Sequence, residues 1–258
     1  MKGAIKLEKV QLVREDGIAW LIINREEKRN AVDYDVMNLL TDKLDEIEMN
    51  EQDKMVVIRG KGDQAFCSGG DLSIFHLLHT KKQAEEMLSK MGEILFRLFF
   101  FPKPTVAAIN GTAVGGGCEL ATACDFRLAA PHAKVGFVQG TLGITTGWGA
   151  STMLFERVDQ ANALRMLLTA ERLNAHEAAN LNFIQQIIET DHFDSGCKEW
   201  LAPFLKQSTP VLKAYKKRWT DRFDKASVKN RFLNEIDECS TLWESDEHHA
   251  AVERFLSK

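Results

Sequence analysis

The sequence predicts an α/β fold that ends in a helical region, on three observations. Apolar runs of strand length alternate with segments of helical period, an Asp-Gly pair joins the first two runs, and everything beyond about residue 191 has helical spacing. Lys9 to Arg14 and Ile18 to Asn24 read as strands, and Glu15-Asp16-Gly17 between them suits a tight antiparallel hairpin. Asp33 can cap a helix in which Val36, Leu40, Leu44 and Ile47 return to one face. Met55 to Arg59 then reads as a short buried strand, closed by the turn residues Gly60 to Asp63. The pattern repeats: a helix over about 82–100, a strand over Thr105 to Ile109, a glycine-rich loop, a short helix from about Glu119, and a strand over Phe126 to Ala130. Such alternation implies parallel pairing with right-handed crossovers. Residues 159–170 and 175–181 read as helices and Phe183 to Ile188 as one more strand, followed by a long helical stretch from Pro210 to Cys239 and a last one around Ala250 to Leu256. The expected organisation is a core over 1–190 that carries the site and a C-terminal helical region over 191–258.

Composition narrows the function classes. A chain of 258 residues can bury a sizeable core without crosslinks. No apolar run approaches the roughly 18 residues that span a bilayer, and the N-terminus MKGAIKLEKVQLVRED lacks the apolar centre of a secretory signal. A cytoplasmic location is expected. Five scattered cysteines without a CxxC pair argue against a disulfide framework or a zinc site. The net charge of -4 gives no global reason to bind nucleic acid or membrane.

The stretch Asn110-Gly111-Thr112-Ala113-Val114-Gly115-Gly116-Gly117-Cys118-Glu119-Leu120 follows a strand and leads into a helix. Its N–H groups lie at a helix N-terminus, where partial positive charge accumulates. The spacing is neither that of a dinucleotide fingerprint nor that of a phosphate loop; it leaves open a tight structural turn or an oxyanion site. A second pair occurs in Ala65-Phe66-Cys67-Ser68-Gly69-Gly70-Asp71-Leu72. Both loops would emerge at the C-terminal ends of parallel strands, where α/β folds place ligands. Two N–H groups converging on one oxygen make an oxyanion hole. Glu119 either complements the helix dipole or transfers protons. No HExxH, GxSxG or other metal or hydrolase pattern is present: His176-Glu177-Ala178-Ala179-Asn180 ends in asparagine, and Ser68 is not in a nucleophile elbow.

The strings Asn24-Arg25-Glu26-Glu27-Lys28-Arg29-Asn30-Ala31, Phe66 to Leu72, Asn110 to Leu120 and Cys124-Asp125 resemble, in order and spacing, the successive signatures of the crotonase, or enoyl-CoA hydratase/isomerase, superfamily. The resemblance implies repeated ββα units, a homotrimer or hexamer held together through 191–258, an acyl-CoA thioester substrate, and no cofactor beyond its CoA moiety. It assigns the Gly70 and Gly116 N–H groups to the thioester oxygen. It also places Lys28, Arg29, Ala31, Phe66, Ser68, Asp71 and Leu72 around CoA, and makes Glu119 a catalytic acid or base. Where hydratases keep a second glutamate, four residues before a glycine that aligns with Gly143, this chain has Gln139, which cannot exchange a proton at neutral pH. The Trp148-Gly149 pair, with the preceding Phe137-Val138, resembles the ethylmalonyl-CoA decarboxylase branch. The expected activity is therefore that of a lyase doing enolate chemistry, leaning towards decarboxylation of a short malonyl-type acyl-CoA. Enoyl-CoA hydration or isomerisation in fatty-acid metabolism is the alternative. Phe75, Leu78 and Trp148 are expected in the pocket wall. Nine basic residues between Lys206 and Arg231 could form a solvated face, contact CoA phosphates or bind RNA, with Tyr215, Trp219 and Phe223 expected as core contacts.

Overall fold

A computed structural model describes residues 8–190 and 192–257. The first seven residues, part of the segment read above for a leader, lie outside the described residues, as do positions 191 and 258. The chain opens with β1 (Val10–Glu15) and β2 (Ile18–Ile23), paired antiparallel with Glu15 opposite Ile18. Asp16 and Gly17 both adopt positive φ, 53° and 85°, the backbone of a two-residue hairpin turn whose twist matches its strands. Helix α1 (Tyr34–Met49) starts where Asp33 accepts a hydrogen bond from Val36 N–H at 2.9 Å, and the predicted Val36, Leu40, Leu44 and Ile47 are its buried face.

Next come β3 (Met55–Gly60), β4 (Ala65–Cys67), α2 (Leu72–Phe75) and α3 (Lys81–Phe99), the last opened by a Thr80/Gln83 capping box. They are followed by β5 (Thr105–Ile109), β6 (Thr112–Val114) and α4 (Gly116–Ala123), then β7 (Phe126–Ala129), β8 (Lys134–Gly136) and α5 (Ala150–Arg157). After α6 (Gln160–Thr169) the chain forms β9 (Leu173–Asn174), α7 (Ala175–Asn180) and β10 (Gln186–Ile187), and ends in α8 (Phe193–Leu205), α9 (Thr209–Thr220), α10 (Lys225–Trp243) and α11 (Asp246–Leu256).

Two sheets result. The larger has the order β1-β2-β3-β5-β7-β10, parallel from β2 onward, and the smaller has the order β4-β6-β8-β9. In the first sheet β3, β5 and β7 are each followed by a short strand of the second and then by helix, the ββα repeat that the resemblance implies. Alternation along the strands divides the core. Ile18, Trp20, Met55 and Val57 face Cys197 and Leu201 of α8, while Ala19, Leu21, Val56 and Ile58 face the main core, which includes residues of α1, α3, α4 and α10.

Four expectations are corrected. Both glycine strings hold a strand three residues long, β6 in the 110–120 string and β4 in the 65–72 string. Strands this short give too few alternations to register as a period. Of the expected strand Phe183 to Ile188, Gln186 and Ile187 are in register with β7, flanked by Gln185 and Ile188 N–H donating to Arg127 and Ala129 carbonyls. Buried Arg127 captures the Phe183 carbonyl, and Gln185 accepts from the Arg127 N–H. The stretch from Pro210 to Cys239 is broken at 221–224, because the Asp224 side chain accepts from Ala226 and Ser227 N–H and starts a new helix. Of the aromatics in that stretch, Trp219 and Phe223 pack on Phe99, but Tyr215 is 75 % exposed and is no core contact.

Candidate active site

The small sheet brings the two glycine loops together. A Cβ on Gly69 would lie 2.9 Å from Gly116 N, and one on Gly117 would lie 1.9 Å from the Cys67 carbonyl oxygen, so only glycine lets the chain segments touch this closely. The first signature joins them. Val32 N–H donates to Gly69 O at 2.8 Å, Asp71 N–H to Val32 O at 2.9 Å, and Ser68 N–H to Arg29 O at 3.1 Å. Beneath, the Asn110 amide accepts from Gly60 N–H and donates to Gly62 O, while Asn30 donates to the Ala65 carbonyl. The asparagines of the signatures thus tie loop to loop. Among the described residues, the N–H groups of Gly70 and Gly116 have no hydrogen-bond partner, so both remain available to a ligand oxygen.

These loops open onto a cavity of about 750 Å³ whose lining includes Gly70, Gly116, Glu119, Gln139 and Trp148. The Trp148 ring covers both glycines: a Cβ on Gly116 would lie 2.2 Å from it and one on Gly70 3.7 Å. Glu119, 3 % exposed, stands on the first turn of α4. Its Oε1 accepts from Gln139 Nε2 at 2.8 Å, and its Oε2 accepts from the N–H groups of Trp148 at 2.8 Å and Ala150 at 3.3 Å. Burial, reinforced by the charge of Glu235, pushes the Glu119 pKa up to about 8 against the pull of those donors. Burial thus favours the acid form of Glu119, against four donors that favour its charge. Gln139 Oε1 is buried without a partner. A half-turn of that amide costs no space and would offer this oxygen to a protonated Glu119.

Lys28, Arg29, Ala31, Ser68, Asp71 and Leu72 also line the cavity, as the resemblance anticipates. Asp71 is committed elsewhere. Its carboxylate accepts from Arg25 Nη2 at 2.8 Å and from Ser73 N–H and Oγ. Burial opposes its charge, but the Ser73 and Arg25 hydrogen bonds outweigh it and hold the pKa below the usual carboxylate range. Phe66 is a correction: it is fully buried in the core and forms no part of the cavity wall. Phe75 and Trp148 line the wall as expected, but Leu78 does not; it packs on the core, and its carbonyl accepts from Trp243 Nε1. The basic stretch does not reach the cavity either. Lys213, Lys217, Lys229 and Arg231 pair with Glu51, Asp221, Glu93 and Glu156, and buried Lys216 donates to Asp125. The sequence reading missed Arg172, Cys239, Trp243 and Phe255 in the lining. The last three lie on helices whose periodicity was legible, but nothing local says that those helices return to the loops of the small sheet.

Comparison with known proteins agrees with this geometry. Residues 13–258 match the family model described as Enoyl-CoA hydratase/isomerase. Human ethylmalonyl-CoA decarboxylase is 31% identical over 244 residues, covering 93% of this chain and 78% of that protein. Crotonyl-CoA hydratase of Syntrophomonas wolfei is also 31% identical, over 91% of this chain and 86% of its own. An enoyl-CoA hydratase crystal structure from Mycobacterium avium subsp. paratuberculosis K-10 superposes with a TM-score of 0.86 at 23% identity, over 97% of this chain and all of that one. Two glycine loops joined backbone to backbone beside a buried glutamate, on this fold and with these relatives, place the chain in the enoyl-CoA hydratase/isomerase family of enzymes acting on acyl-CoA, the crotonase superfamily.

Proposed function

We propose that the protein is a lyase that decarboxylates a short malonyl-type acyl-CoA. The observation that carries this reading is the buried Glu119 hydrogen-bonded to the amide of Gln139, where a hydratase would set a second carboxylate, with burial raising the Glu119 pKa. In the proposed reaction the thioester oxygen accepts from Gly70 and Gly116 N–H. The bond between the α carbon and the substrate carboxylate breaks, CO2 leaves, and the electron pair passes into the thioester enolate, whose oxygen the two N–H groups stabilise. Glu119 then gives its proton to the α carbon and is reprotonated from solvent. A neutral acid suits this sequence, since an ionised Glu119 would repel the substrate carboxylate and could not donate. Trp148 supplies a dry wall beside the reacting centre, and loss of hydration favours departure of CO2 over retention of a localised carboxylate charge. Lys28 and Arg29, exposed at the rim, suit the CoA phosphates.

A second reading, water addition to an enoyl-CoA with Glu119 acting alone, is favoured by the likeness to crotonyl-CoA hydratase. Incubation with ethylmalonyl-CoA, methylmalonyl-CoA and crotonyl-CoA, with products identified by mass, separates the two. CO2 loss from a malonyl ester is expected. Rapid hydration of crotonyl-CoA without CO2 loss from either malonyl ester would replace the first reading by the second. We further propose a homotrimer or hexamer in the cytoplasm, supported by apolar Leu164 and Leu168, 47% and 76% exposed one turn apart on α6; light scattering giving a monomer would exclude the assembly.

A further inference from the structure

Glu235 lies on α10, 5 % exposed, and no motif of the family signatures includes it. Its Oε1 accepts from Thr146 Oγ1 at 2.6 Å and Ser151 N–H at 3.0 Å. Its Oε2 accepts from Ser151 Oγ at 2.6 Å and from Thr152 N–H and Oγ1, both at 3.0 Å. Every contact is a donor, and two of the donors are N–H groups in the first turn of α5. The same segment presents Gly147, Trp148 and Ala150 N–H to Glu119 on its other side. One short stretch of chain is thus clamped between two buried carboxyl groups.

We propose that Glu235 is the positioning residue of Glu119: from α10 it fixes the 146–152 segment whose N–H groups hold the Glu119 carboxyl, and it sets a second negative charge beside that group. The structural part stands on the hydrogen bonds alone; its catalytic consequence rests on the reading of Glu119 as the proton donor. The other groups near Glu119 leave Glu235 as its charged neighbour among the described residues. On α4, burial pushes the Cys118 thiol well above its usual range, as it does Cys239 on α10, so both stay neutral. The segment from 138 to 142 contributes the uncharged Gln139, α3 brings Met87 and Leu88 to the cavity, and Asp71 is paired with Arg25. Around Glu235 itself, Lys229 and Arg231 of α10 are paired with Glu93 and Glu156, and Asp237 with Lys81 of α3. Two negative charges cannot share this dry space cheaply, so the charge of Glu235 makes Glu119 harder to ionise.

The test is an infrared pH titration of the Glu119 carboxyl band, assigned by its loss in Glu119→Gln, on the full chain without substrate. The expected midpoint is about 8 in the wild type. It should fall by about one pH unit or more in Glu235→Gln, which raises the ratio of ionised to protonated Glu119 about tenfold. Glu235→Asp keeps the charge one methylene further away, so its midpoint should lie between the two, and this variant decides the matter if the amide does not fold. With an acyl-CoA that turns over, the alkaline limb of kcat should move down by the same interval while KM holds. A midpoint unmoved in the folded variants overturns the proposal, whichever acyl-CoA proves to be the substrate. A clamp without electrostatic effect would alter thermal stability and leave the midpoint in place.

Discussion

Replacing Glu119 by glutamine should stabilise the protein increasingly as pH rises. The folded chain holds the Glu119 proton to about 8, against an ordinary value of 4.5. Below 4.5 both the folded and unfolded states carry the proton, and the stability tied to it is fully present. As pH rises the unfolded state loses the proton first, so the wild type loses stability until the folded group also ionises near 8. At about 1.4 kcal/mol per pH unit the interval corresponds to a loss of about 5 kcal/mol at most. Glutamine removes the titration while copying the shape of the acid. Its carbonyl can keep the Trp148 and Ala150 N–H groups, and its NH2 can meet the unpartnered Gln139 Oε1 once that amide turns. Urea unfolding of both proteins between about pH 5 and pH 8 should show similar stability at the acid end and a gap widening by roughly 1.4 kcal/mol per unit towards the alkaline end. Parallel curves would refute the claim that burial holds Glu119 in its acid form.

Gln139→Glu would set a second carboxyl where an amide now donates to Glu119 at 2.8 Å; decarboxylation, measured as CO2 release, should fall by about 100-fold, with hydration of crotonyl-CoA gaining. Gly116→Ala would drive a Cβ to 2.2 Å from the Trp148 ring. Turnover should collapse with saturable acyl-CoA binding weakened by at least about tenfold, and adding Trp148→Ala should recover part of the binding, as a double-mutant cycle of the two residues would show.

The parts of the fold that were legible in the sequence are those set by local rules. The hairpin at Asp16-Gly17, the Asp33 cap and the apolar faces of α1 and β5 follow from turn chemistry and period. The second sheet was not legible, because β4, β6 and β8 are three residues each and are held by backbone pairing between segments far apart in sequence. The same holds at the site. Glu119 and the glycines announce themselves through an unusual local string, whereas Glu235 looks like any acidic residue on a helix, 116 positions from Glu119. Phe66 illustrates the converse: it sits inside a family signature, yet its side chain, like that of Cys67, is buried in the core, while Ser68 to Leu72 of the same string line the cavity. A signature marks where the backbone must go, and the side chains within it divide between packing and binding.

The central claim is that Glu119, as an acid, delivers the proton to an enolate left by CO2. Turnover of ethylmalonyl-CoA in D2O tests it most directly. The account predicts butyryl-CoA carrying a single deuterium at the α carbon in one configuration, with that selectivity lost in Glu119→Gln along with at least about 100-fold in rate. Deuterium in both configurations from the wild type, or a rate unaffected by the substitution, would mean that solvent protonates the enolate and would contradict the role given to Glu119.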